Sequence, residues 1–231
     1  MSSTKTAFIV GASRGLGLAL AEEYLKRGWN VVATVRGGAR TGLHALAERH
    51  AGRLEVEQCD INEPDQVAAL HTRLKARKFD LLFVNAGVAN NASETIATVS
   101  TEDFTRVMIT NALSPMRFIE AFQDVVPATG TIGVMSSILG SVAENTYGLW
   151  EAYRGSKAAL NTFMRSFSAR HPDDPRALLL IAPGWVRTDM GGPEADLSIE
   201  ESIPNVVDLI TRLSGKPGVH YYNYDGRQIA W

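Results

Sequence analysis

The chain has 231 residues, of which 45% are hydrophobic and 21% charged, an ordinary globular composition that excludes a disordered chain, a collagen, a coiled coil and a disulfide scaffold. Its 23 basic and 25 acidic residues give a formal net charge of -2, which provides no overall field for nucleic acid or an anionic membrane. No apolar run approaches the roughly 18 residues of a membrane span, so we expect neither partner.

Predicted strands and helices alternate along the chain, because short apolar runs are separated by amphipathic stretches. In chain order they are a strand at 6–10, a helix at 16–27, a strand at 29–35, a helix at 41–50, a strand at 54–58, a helix at 63–76, a strand at 79–84, a helix at 101–122, a strand at 130–135, a helix at 150–169, a strand at 177–181, a loop at 183–196, a helix at 199–213 and a strand at 219–222. The pattern predicts an α/β protein. We expect a single-domain Rossmann fold over residues 1–231, with a doubly wound, parallel, seven-stranded sheet and helices on both faces.

Glycine or small polar residues follow five of the predicted strands. They are Gly11, Cys59-Asp60, Asn85-Ala86-Gly87, Ser136-Ser137 and Pro183-Gly184. In open α/β sheets, ligands bind beyond the carboxyl ends of the strands. We therefore expect one shared cleft at that edge rather than scattered turns.

The first strand is followed by a glycine-rich loop, Gly11-Ala12-Ser13-Arg14-Gly15-Leu16-Gly17. Glycines permit a tight turn and let the backbone approach a pyrophosphate. The helix that begins near Gly15 offers free N–H groups and a partial positive charge to an anion. A plain strand-to-helix turn is the alternative, but the position after the first strand favours a dinucleotide site.

Two arginines decide between the nicotinamide cofactors. An NAD site places an acidic residue about twenty positions beyond the glycines, on the ribose 2′-hydroxyl. Here the second strand is followed by Arg36, and no acid occurs before Glu48. A guanidinium pairs well with a 2′-phosphate, and Arg14 could reach the same group. We predict NADP(H) rather than NAD(H); the alternative is that both arginines face solvent.

The third strand ends at Cys59 and Asp60. Asp60 either accepts a hydrogen bond from an adenine amino group or begins the turn before the next helix, and the sequence leaves both open. Cys59 is expected to be buried packing. As the only cysteine it permits no internal disulfide, and the first ten residues lack the apolar core of a signal peptide, so we expect a cytoplasmic protein.

Tyr153 and Lys157 lie four residues apart on a predicted helix and so share a face. A free tyrosine has a pKa of about 10, and a nearby ammonium is expected to lower it. Such a tyrosine can protonate a carbonyl oxygen or deprotonate an alcohol. The alternative is that the two side chains form an exposed pair with no catalytic role.

Asn111 lies within the predicted helix 101–122, where asparagine is unfavourable, so we expect a local break in the helix or a functional role there.

The ordered set of motifs resembles the short-chain dehydrogenase/reductase family. The match is carried by the glycine loop, Asp60, Asn85-Ala86-Gly87, Asn111, Ser136-Ser137, Tyr153-Arg154-Gly155-Ser156-Lys157 and Pro183-Gly184 with Thr188. Two further stretches are similar to the C-factor-like, sniffer-type carbonyl reductases within that family. They are Tyr153-Arg154-Gly155-Ser156-Lys157-Ala158-Ala159-Leu160-Asn161 and Asn223-Tyr224-Asp225-Gly226.

The resemblance implies roles for individual residues. Tyr153 would be the acid/base, Ser137 rather than Ser136 the second donor to the substrate oxygen, and Asn111 would hold a water that relays protons to Lys157. Lys157 would also bond the nicotinamide ribose. The expected cofactor-binding set is Gly11, Ser13, Arg14, Gly15, Leu16, Gly17, Arg36, Asp60, Ile61, Asn85, Ala86, Gly87, Tyr153, Lys157, Pro183, Gly184, Val186 (through its N–H) and Thr188.

Two features of the sequence concern the substrate pocket: a spacing that departs from the family and a group of mainly aromatic and apolar residues. Sixteen positions separate Ser137 from Tyr153, which is longer than usual, and the extra length lies at 140–150. The candidate pocket wall is Leu139, Tyr147, Trp150, Trp185 and Met190. These side chains would suit a small apolar or aromatic carbonyl compound, or else pack the loops themselves. With a short substrate-side segment at about 186–215, we expect an open pocket of broad tolerance.

The leading hypothesis is an NADP-dependent carbonyl reductase or alcohol dehydrogenase acting on a small molecule. A nucleotide-binding signalling or interaction protein is the alternative, which the C-factor resemblance makes reasonable. An epimerase is disfavoured by the short chain after Thr188. The five histidines show no metal-ligand spacing, so no metal is expected. The family implies a homo-oligomer, either a dimer or a tetramer.

Overall fold

The structure, a computed structural model, describes residues 4–231. Seven parallel strands form one sheet in the order β3-β2-β1-β4-β5-β6-β7. They are β1 (Thr6–Val10), β2 (Asn30–Val35), β3 (Leu54–Gln58), β4 (Leu81–Val84), β5 (Thr131–Met135), β6 (Ala177–Ala182) and β7 (Gly218–Asn223). The predicted doubly wound, seven-stranded parallel sheet is confirmed.

The order of the strands reverses between β1 and β4. From β1 the chain builds outward through β2 to β3, and from β4 it builds outward through β5 and β6 to β7. Such a reversal opens a crevice at the carboxyl ends of the two central strands, because their connections leave in opposite directions. Gly11 follows β1 and Asn85 follows β4, so both lie at this crevice.

Helices cover both faces of the sheet. They are α1 (Gly15–Lys26), α2 (Gly42–Arg49), α3 (Pro64–Leu74), α4 (Thr101–Met108), α5 (Ser114–Phe122), α6 (Glu151–Arg170) and α7 (Ile199–Leu213). Alternate residues of β1 enter different cores: Phe8 and Val10 pack with α3, α5 and α6, while Ala7 and Ile9 pack with α1, α2 and α7. Both faces of β1 are therefore buried beyond Thr6, which explains the apolar run from Ala7 to Val10.

The helix predicted at 101–122 is not continuous. A π-helical turn, Ile109–Leu113, separates α4 from α5 and contains Asn111. Pro115 lacks the N–H that an α-helix would donate to the carbonyl four residues earlier, which favours the break. The expected irregularity at Asn111 is thus a wide turn, of the kind that often marks functional positions.

The remaining boundaries differ from the predictions by a few residues. β4 begins at Leu81 rather than at Phe79, whose N–H bonds the Val125 carbonyl instead of a neighbouring strand. α6 begins at Glu151, after a left-handed Trp150. Within residues 4–231, none of the helices combines the length and apolar character needed to cross a membrane.

Candidate active site

The glycine loop packs closely against the end of β4. Gly11 has φ +86°, and a Cβ on it would lie 2.8 Å from Ala86. The Asn85 side chain donates to the Gly11 carbonyl at 2.8 Å, and a Cβ on Gly17 would lie 2.6 Å from Asn85 Nδ2. Larger residues at these two glycines would push the loop away from the strand end, so the sequence fixes its close approach.

The start of α1 offers free hydrogen-bond donors to the crevice. Its N-cap residue, Arg14, makes no side-chain cap, whereas α7 begins with a capping box between Ser198 and Glu201. Gly15 has φ +56°, and a Cβ there would meet the Thr188 methyl group at 3.9 Å. Uncapped N–H groups and a positive helix end beside crowded glycines fit the pyrophosphate of a dinucleotide.

The two arginines occupy different environments. Arg36 directly follows β2, is exposed, and forms no ion pair with any carboxylate of the described residues 4–231. Arg14 instead pairs with Asp189 at 2.6 Å, and both side chains are exposed. Arg14 therefore links the glycine loop to the loop after β6, an arrangement that the sequence did not indicate. Arg36 is the cation that a 2′-phosphate could meet without first breaking an ion pair.

Asp60 forms the turn before α3. Its Oδ1 accepts from Asn62 N–H at 2.9 Å, and its carbonyl accepts from Glu63 N–H. Of the two interpretations left open by the sequence, the turn is observed, and contact with adenine remains a prediction. Ile61 beside it is buried in the core. Cys59 is buried as expected, and desolvation raises its pKa to about 11, so it is not a reactive thiolate.

The loop after β6 lies across the crevice from the glycine loop. The Pro183 carbonyl accepts from the Ser202 hydroxyl at 2.6 Å, which ties the loop to α7. Gly184 has φ +83°, and a Cβ there would lie 2.5 Å from Leu197. Val186 pairs with Leu197 in an isolated parallel bridge and is buried. Ser13, Leu16 and Thr188 are half-buried, as residues lining an open crevice would be.

Tyr153, Ser137 and Lys157 come together at the end of β5. The Ser137 hydroxyl lies near enough to the Tyr153 phenol to lower its pKa, and it also accepts from Leu139 N–H at 3.1 Å. Lys157 is 3% exposed, its Nζ donates to the Met135 carbonyl at 2.8 Å, and the same atom lies 5.7 Å from the centre of the Tyr153 ring. The helix spacing and the strand end thus bring a phenol, a hydroxyl and an ammonium to one place.

Burial controls the acid–base state of this group. Burial raises the pKa of Tyr153 to about 12, and the neighbouring Ser137 hydroxyl lowers it by less. Desolvation also lowers the pKa of Lys157 to about 8. The expectation that the ammonium brings the tyrosine pKa below 10 is therefore wrong for this pocket, because desolvation of the phenolate dominates. At neutral pH Tyr153 holds its proton.

Asn111 connects three parts of the site. Its amide donates to the Val88 carbonyl at 2.8 Å and to the Ser156 hydroxyl at 2.9 Å, and its Oδ1 accepts from Val88 N–H at 2.8 Å. Gly87 lies between Asn111 and Lys157, since a Cβ there would meet Oδ1 at 3.3 Å and Nζ at 3.5 Å. The π-helical turn therefore holds the segment after β4 against α6.

Two residues that the sequence analysis did not single out support the predicted second donor. The hydroxyl of Tyr221, on β7, donates to the Ser137 carbonyl. Asn161 accepts from the Ser136 hydroxyl at 2.7 Å and donates to the Gly140 carbonyl at 3.2 Å. Asn161 belongs to a stretch that resembles the family, which could have drawn attention to it. Tyr221 carries no such pattern.

The candidate substrate residues lie on two loops at the same edge of the sheet. The Trp150 ring lies 6.1 Å from the Tyr153 ring in an edge arrangement, and Tyr147 is 62% exposed. Leu139 lines a cavity of about 260 Å³ between the loop after β5 and α6. Trp185 and Met190 are exposed on the loop after β6. Trp150 is thus the wall residue in contact with the predicted acid/base.

The histidines make local structural contacts. His44 completes the capping box of α2 with Thr41, and His71 pairs with Asp124 at 2.9 Å. Across residues 4–231, no three His, Cys, Asp or Glu side chains lie close enough together to hold a metal ion.

Comparison with known proteins identifies the family. A family model described as short chain dehydrogenase matches residues 5–197. The chain belongs to the short chain dehydrogenase family. The predicted family resemblance is confirmed, and the match covers every proposed site residue from the glycine loop to Thr188.

Three relatives place the chain more closely within the family. The C-signal of Myxococcus xanthus is 34% identical over 165 residues, which are 71% of this chain and 99% of that protein. A solved short-chain dehydrogenase/reductase from Burkholderia multivorans with bound NADP has a TM-score of 0.98 and 57% identity, over 99% of this chain and 100% of its own. The carbonyl reductase Sniffer of D. melanogaster has a TM-score of 0.90 and 31% identity, over 99% and 100%. These similarities confirm the C-factor-like, sniffer-type resemblance.

Proposed function

We propose that the protein is an NADP(H)-dependent oxidoreductase that interconverts a carbonyl group and an alcohol on a small molecule. The observation that carries this proposal is the convergence of Tyr153, Ser137 and Lys157 beside the crevice that holds the glycine loop. NADP(H), when bound, supplies or accepts the hydride. The residues of the chain bind and orient the substrate and manage its proton.

Tyr153 is the proposed acid/base. Its pKa of about 12 keeps the phenol protonated at neutral pH, so it can donate that proton to the oxygen of a carbonyl substrate as negative charge develops. The phenolate formed is stabilised by the nearby Lys157 ammonium and by the neighbouring Ser137 hydroxyl. Alcohol oxidation is the reverse transfer, and it requires the phenolate first.

Ser137 and Asn111 have supporting roles in this proposal. The Ser137 hydroxyl is the second donor to the substrate oxygen, which would then be held between two hydroxyls. Asn111 is fully buried and braces Val88 against Ser156, and we assign to it the ordering of a proton path toward Lys157. We also assign Lys157 to the nicotinamide ribose; Gly87, which has no Cβ, lies directly beside its Nζ.

The preference for NADP(H) is proposed from Arg36. Its exposed guanidinium follows β2 beside the uncapped start of α1, and among the residues described it has no acidic partner. The Burkholderia multivorans relative has NADP bound, which supports the same assignment. The remaining cofactor contacts are proposed to be those of the predicted set.

A substrate screen with both cofactors tests the proposed function. Small aldehydes and ketones are mixed with NADPH or NADH, and loss of absorbance at the nicotinamide band is followed. We expect turnover with NADPH, and we expect Tyr153→Phe to lose it at least a hundredfold while still binding NADPH, because one hydroxyl is removed. Full turnover by Tyr153→Phe would exclude Tyr153 as the acid/base.

A second candidate is a nucleotide-binding signalling or interaction protein. The observation that favours it is the 34% identity to the C-signal of Myxococcus xanthus. A pure binding protein does not need a tyrosine, serine, lysine and asparagine arranged around one cleft, so we rank it second. NADPH binding without turnover of any carbonyl compound would reverse that order.

We also propose a cytoplasmic location and a homo-oligomeric state. The location rests on the single buried cysteine, which suits a reducing compartment. The oligomer rests on family resemblance, and light scattering after size exclusion distinguishes monomer, dimer and tetramer. A mass of about 25.1 kDa in solution would contradict it.

A further inference from the structure

The loop before α6 contains an unusual backbone turn. Three consecutive residues, Gly148, Leu149 and Trp150, have left-handed φ values of +68°, +51° and +58°. Leu149 and Trp150 are the non-glycine residues with positive φ among residues 4–231. Left-handed backbone is unfavourable for residues that carry a Cβ, and consecutive examples are rare. Such a turn persists only if its surroundings hold it.

Arg154 provides most of that support. Its Nε donates to the carbonyls of Gly148 at 2.9 Å and Leu149 at 2.8 Å. Its backbone N–H donates to the Trp150 carbonyl at 2.7 Å, which is the first helical bond of α6 and does not depend on the side chain. Its guanidinium lies 4.5 Å from the centre of the Tyr147 ring. One side chain therefore contacts every residue from Tyr147 to Leu149, directly before the helix that carries it.

Among residues 4–231, the charge of Arg154 is not balanced by any acidic side chain. The side chain is 5% exposed, makes no ion pair within residues 4–231, and its Nη2 is buried without a hydrogen-bond partner. An unpaired buried charge is costly to the fold. Arg154 therefore costs folding free energy, and the hydrogen bonds of its side chain go to a strained turn. We infer that the turn itself has a role.

The turn determines where two rings lie. The backbone N–H of Trp150 donates to the Ala92 carbonyl at 3.0 Å, and its ring packs against the Tyr153 ring in an edge arrangement. Tyr147 is held by Arg154 and remains largely exposed. Rings fixed beside the acid/base can contact an aromatic group on a substrate, and aromatic pairs prefer such offset or edge contacts.

We propose that Arg154 is a positioning residue that holds the left-handed turn at 148–150, and that the turn sets a preference for carbonyl compounds carrying an aromatic ring. The second half of this inference rests on the proposed function. The first half concerns the loop alone and has a readout that needs no turnover.

The experiment compares Arg154→Met with Arg165→Met. Arg165 is an exposed residue of the same helix whose guanidinium lies 4.5 Å from the Trp231 ring, so the control loses a similar ring contact away from the turn. In Arg154→Met we expect amide exchange at 141–150 to rise about tenfold. The KM for benzaldehyde should rise about tenfold, with kcat within twofold and the KM values for propanal and NADPH unchanged. The control should match the parent protein.

A rescue variant tests the strain directly. Glycine adopts a left-handed backbone without a Cβ penalty. Adding Leu149→Gly to Arg154→Met should therefore lower the KM for benzaldehyde part of the way back to the parent value. Should Arg154→Met not fold, Arg154→Lys replaces it with the same expectations, because one ammonium cannot reproduce the planar contacts. Unchanged exchange at 141–150 would overturn the positioning role of Arg154, and equal KM increases for benzaldehyde and propanal would overturn the assigned substrate preference.

The two proposals fail in different ways. If the parent turns over no aldehyde with either cofactor, the proposed function is contradicted, while amide exchange still decides whether Arg154 holds the turn. If the parent is active and Arg154→Met keeps its benzaldehyde KM, only the assignment of substrate preference is lost.

Discussion

The buried ammonium of Lys157 links the chemistry of the site to the stability of the fold. The side chain is nearly inaccessible and has one carbonyl partner, Met135, so it loses hydration that a single hydrogen bond does not replace. Desolvation therefore lowers its pKa from 10.5 to about 8. The ammonium that would stabilise a Tyr153 phenolate therefore lowers the free energy of unfolding while it is charged.

That cost predicts how stability changes with pH. Between the folded pKa of about 8 and the unfolded value of 10.5, the unfolded state binds more protons, so stability rises as pH rises through this window. From pH 7.5 to 9 the expected contribution is about 1 kcal/mol of unfolding free energy. Urea unfolding of the parent and of Lys157→Met measures it.

The comparison isolates Lys157 because the other resolved shifts act differently. The raised pKa values of Cys59 and Tyr153 make stability fall as pH rises above their unfolded values of 9.0 and 10.0, outside most of this range. Lys157→Met should therefore show a flatter profile than the parent. Two parallel profiles would mean that the ammonium is better solvated than the structure indicates.

At the scale of elements, the last strand and the residues after it support the loop that carries Ser137. Tyr221 on β7 donates to the Ser137 carbonyl, and Arg227 pairs with Glu144 at 2.8 Å. The Trp231 carbonyl accepts from Ala143 N–H at 3.2 Å. Three contacts from one end of the chain thus fix the loop after β5, which links a distant strand to the proposed second donor.

Removing the first of these contacts should change turnover more than cofactor binding. Tyr221→Phe leaves the Ser137 carbonyl without its buried donor, so the serine can shift. We expect kcat for a small aldehyde to fall by up to about tenfold, with the KM for NADPH unchanged. Tyr222→Phe, the adjacent strand residue, is the matched control and should behave as the parent. Equal kcat values in both variants would exclude this support.

The elements also show what the sequence could and could not predict. All seven strands and their parallel arrangement were predicted from short strand patterns that alternate with helices, whereas their order in the sheet was not. Strands buried on both faces, such as β4, leave an apolar run, and the half-exposed β3 leaves an alternating pattern. Asn111 was expected to be irregular, but its residue type does not show which irregularity forms, and a five-residue π-helical turn is too short to have a periodic pattern of its own. The left-handed turn before α6 has only Gly148 to suggest it, since leucine and tryptophan do not favour that backbone.

Contacts between distant residues account for the other gaps in the predicted site. Tyr221 and Ser137 are 84 positions apart, and Arg14 and Asp189 are 175 apart. Neither pair has a spacing that a linear pattern could reveal, since each depends on how strands and loops are stacked. The direction of the Tyr153 pKa was missed for a related reason. Burial depends on the whole pocket, whereas the spacing of Tyr153 and Lys157 shows only that they share a helix face.

At the scale of the whole molecule, a nearly neutral protein must concentrate its anion binding in one place. The formal net charge of -2 offers no general attraction, so affinity for a phosphorylated cofactor depends on local donors. The reversal of strand order brings the uncapped start of α1 and the end of β2 to one crevice. Arg36 lies there, and Arg14 is already paired with Asp189.

This arrangement predicts a difference between cofactors in thermal unfolding. A ligand that binds only the folded state stabilises it by about 2.7 kcal/mol at 100 times its Kd. Because we expect NADPH to have the lower Kd, it should raise the Tm more than NADH does at the same concentration. Arg36→Ala should remove most of the difference by weakening NADPH alone. Arg49→Ala, an exposed arginine on α2, is the control. A larger rise with NADH in the parent, or equal losses for both cofactors in Arg36→Ala, would show that the 2′-phosphate is recognised elsewhere.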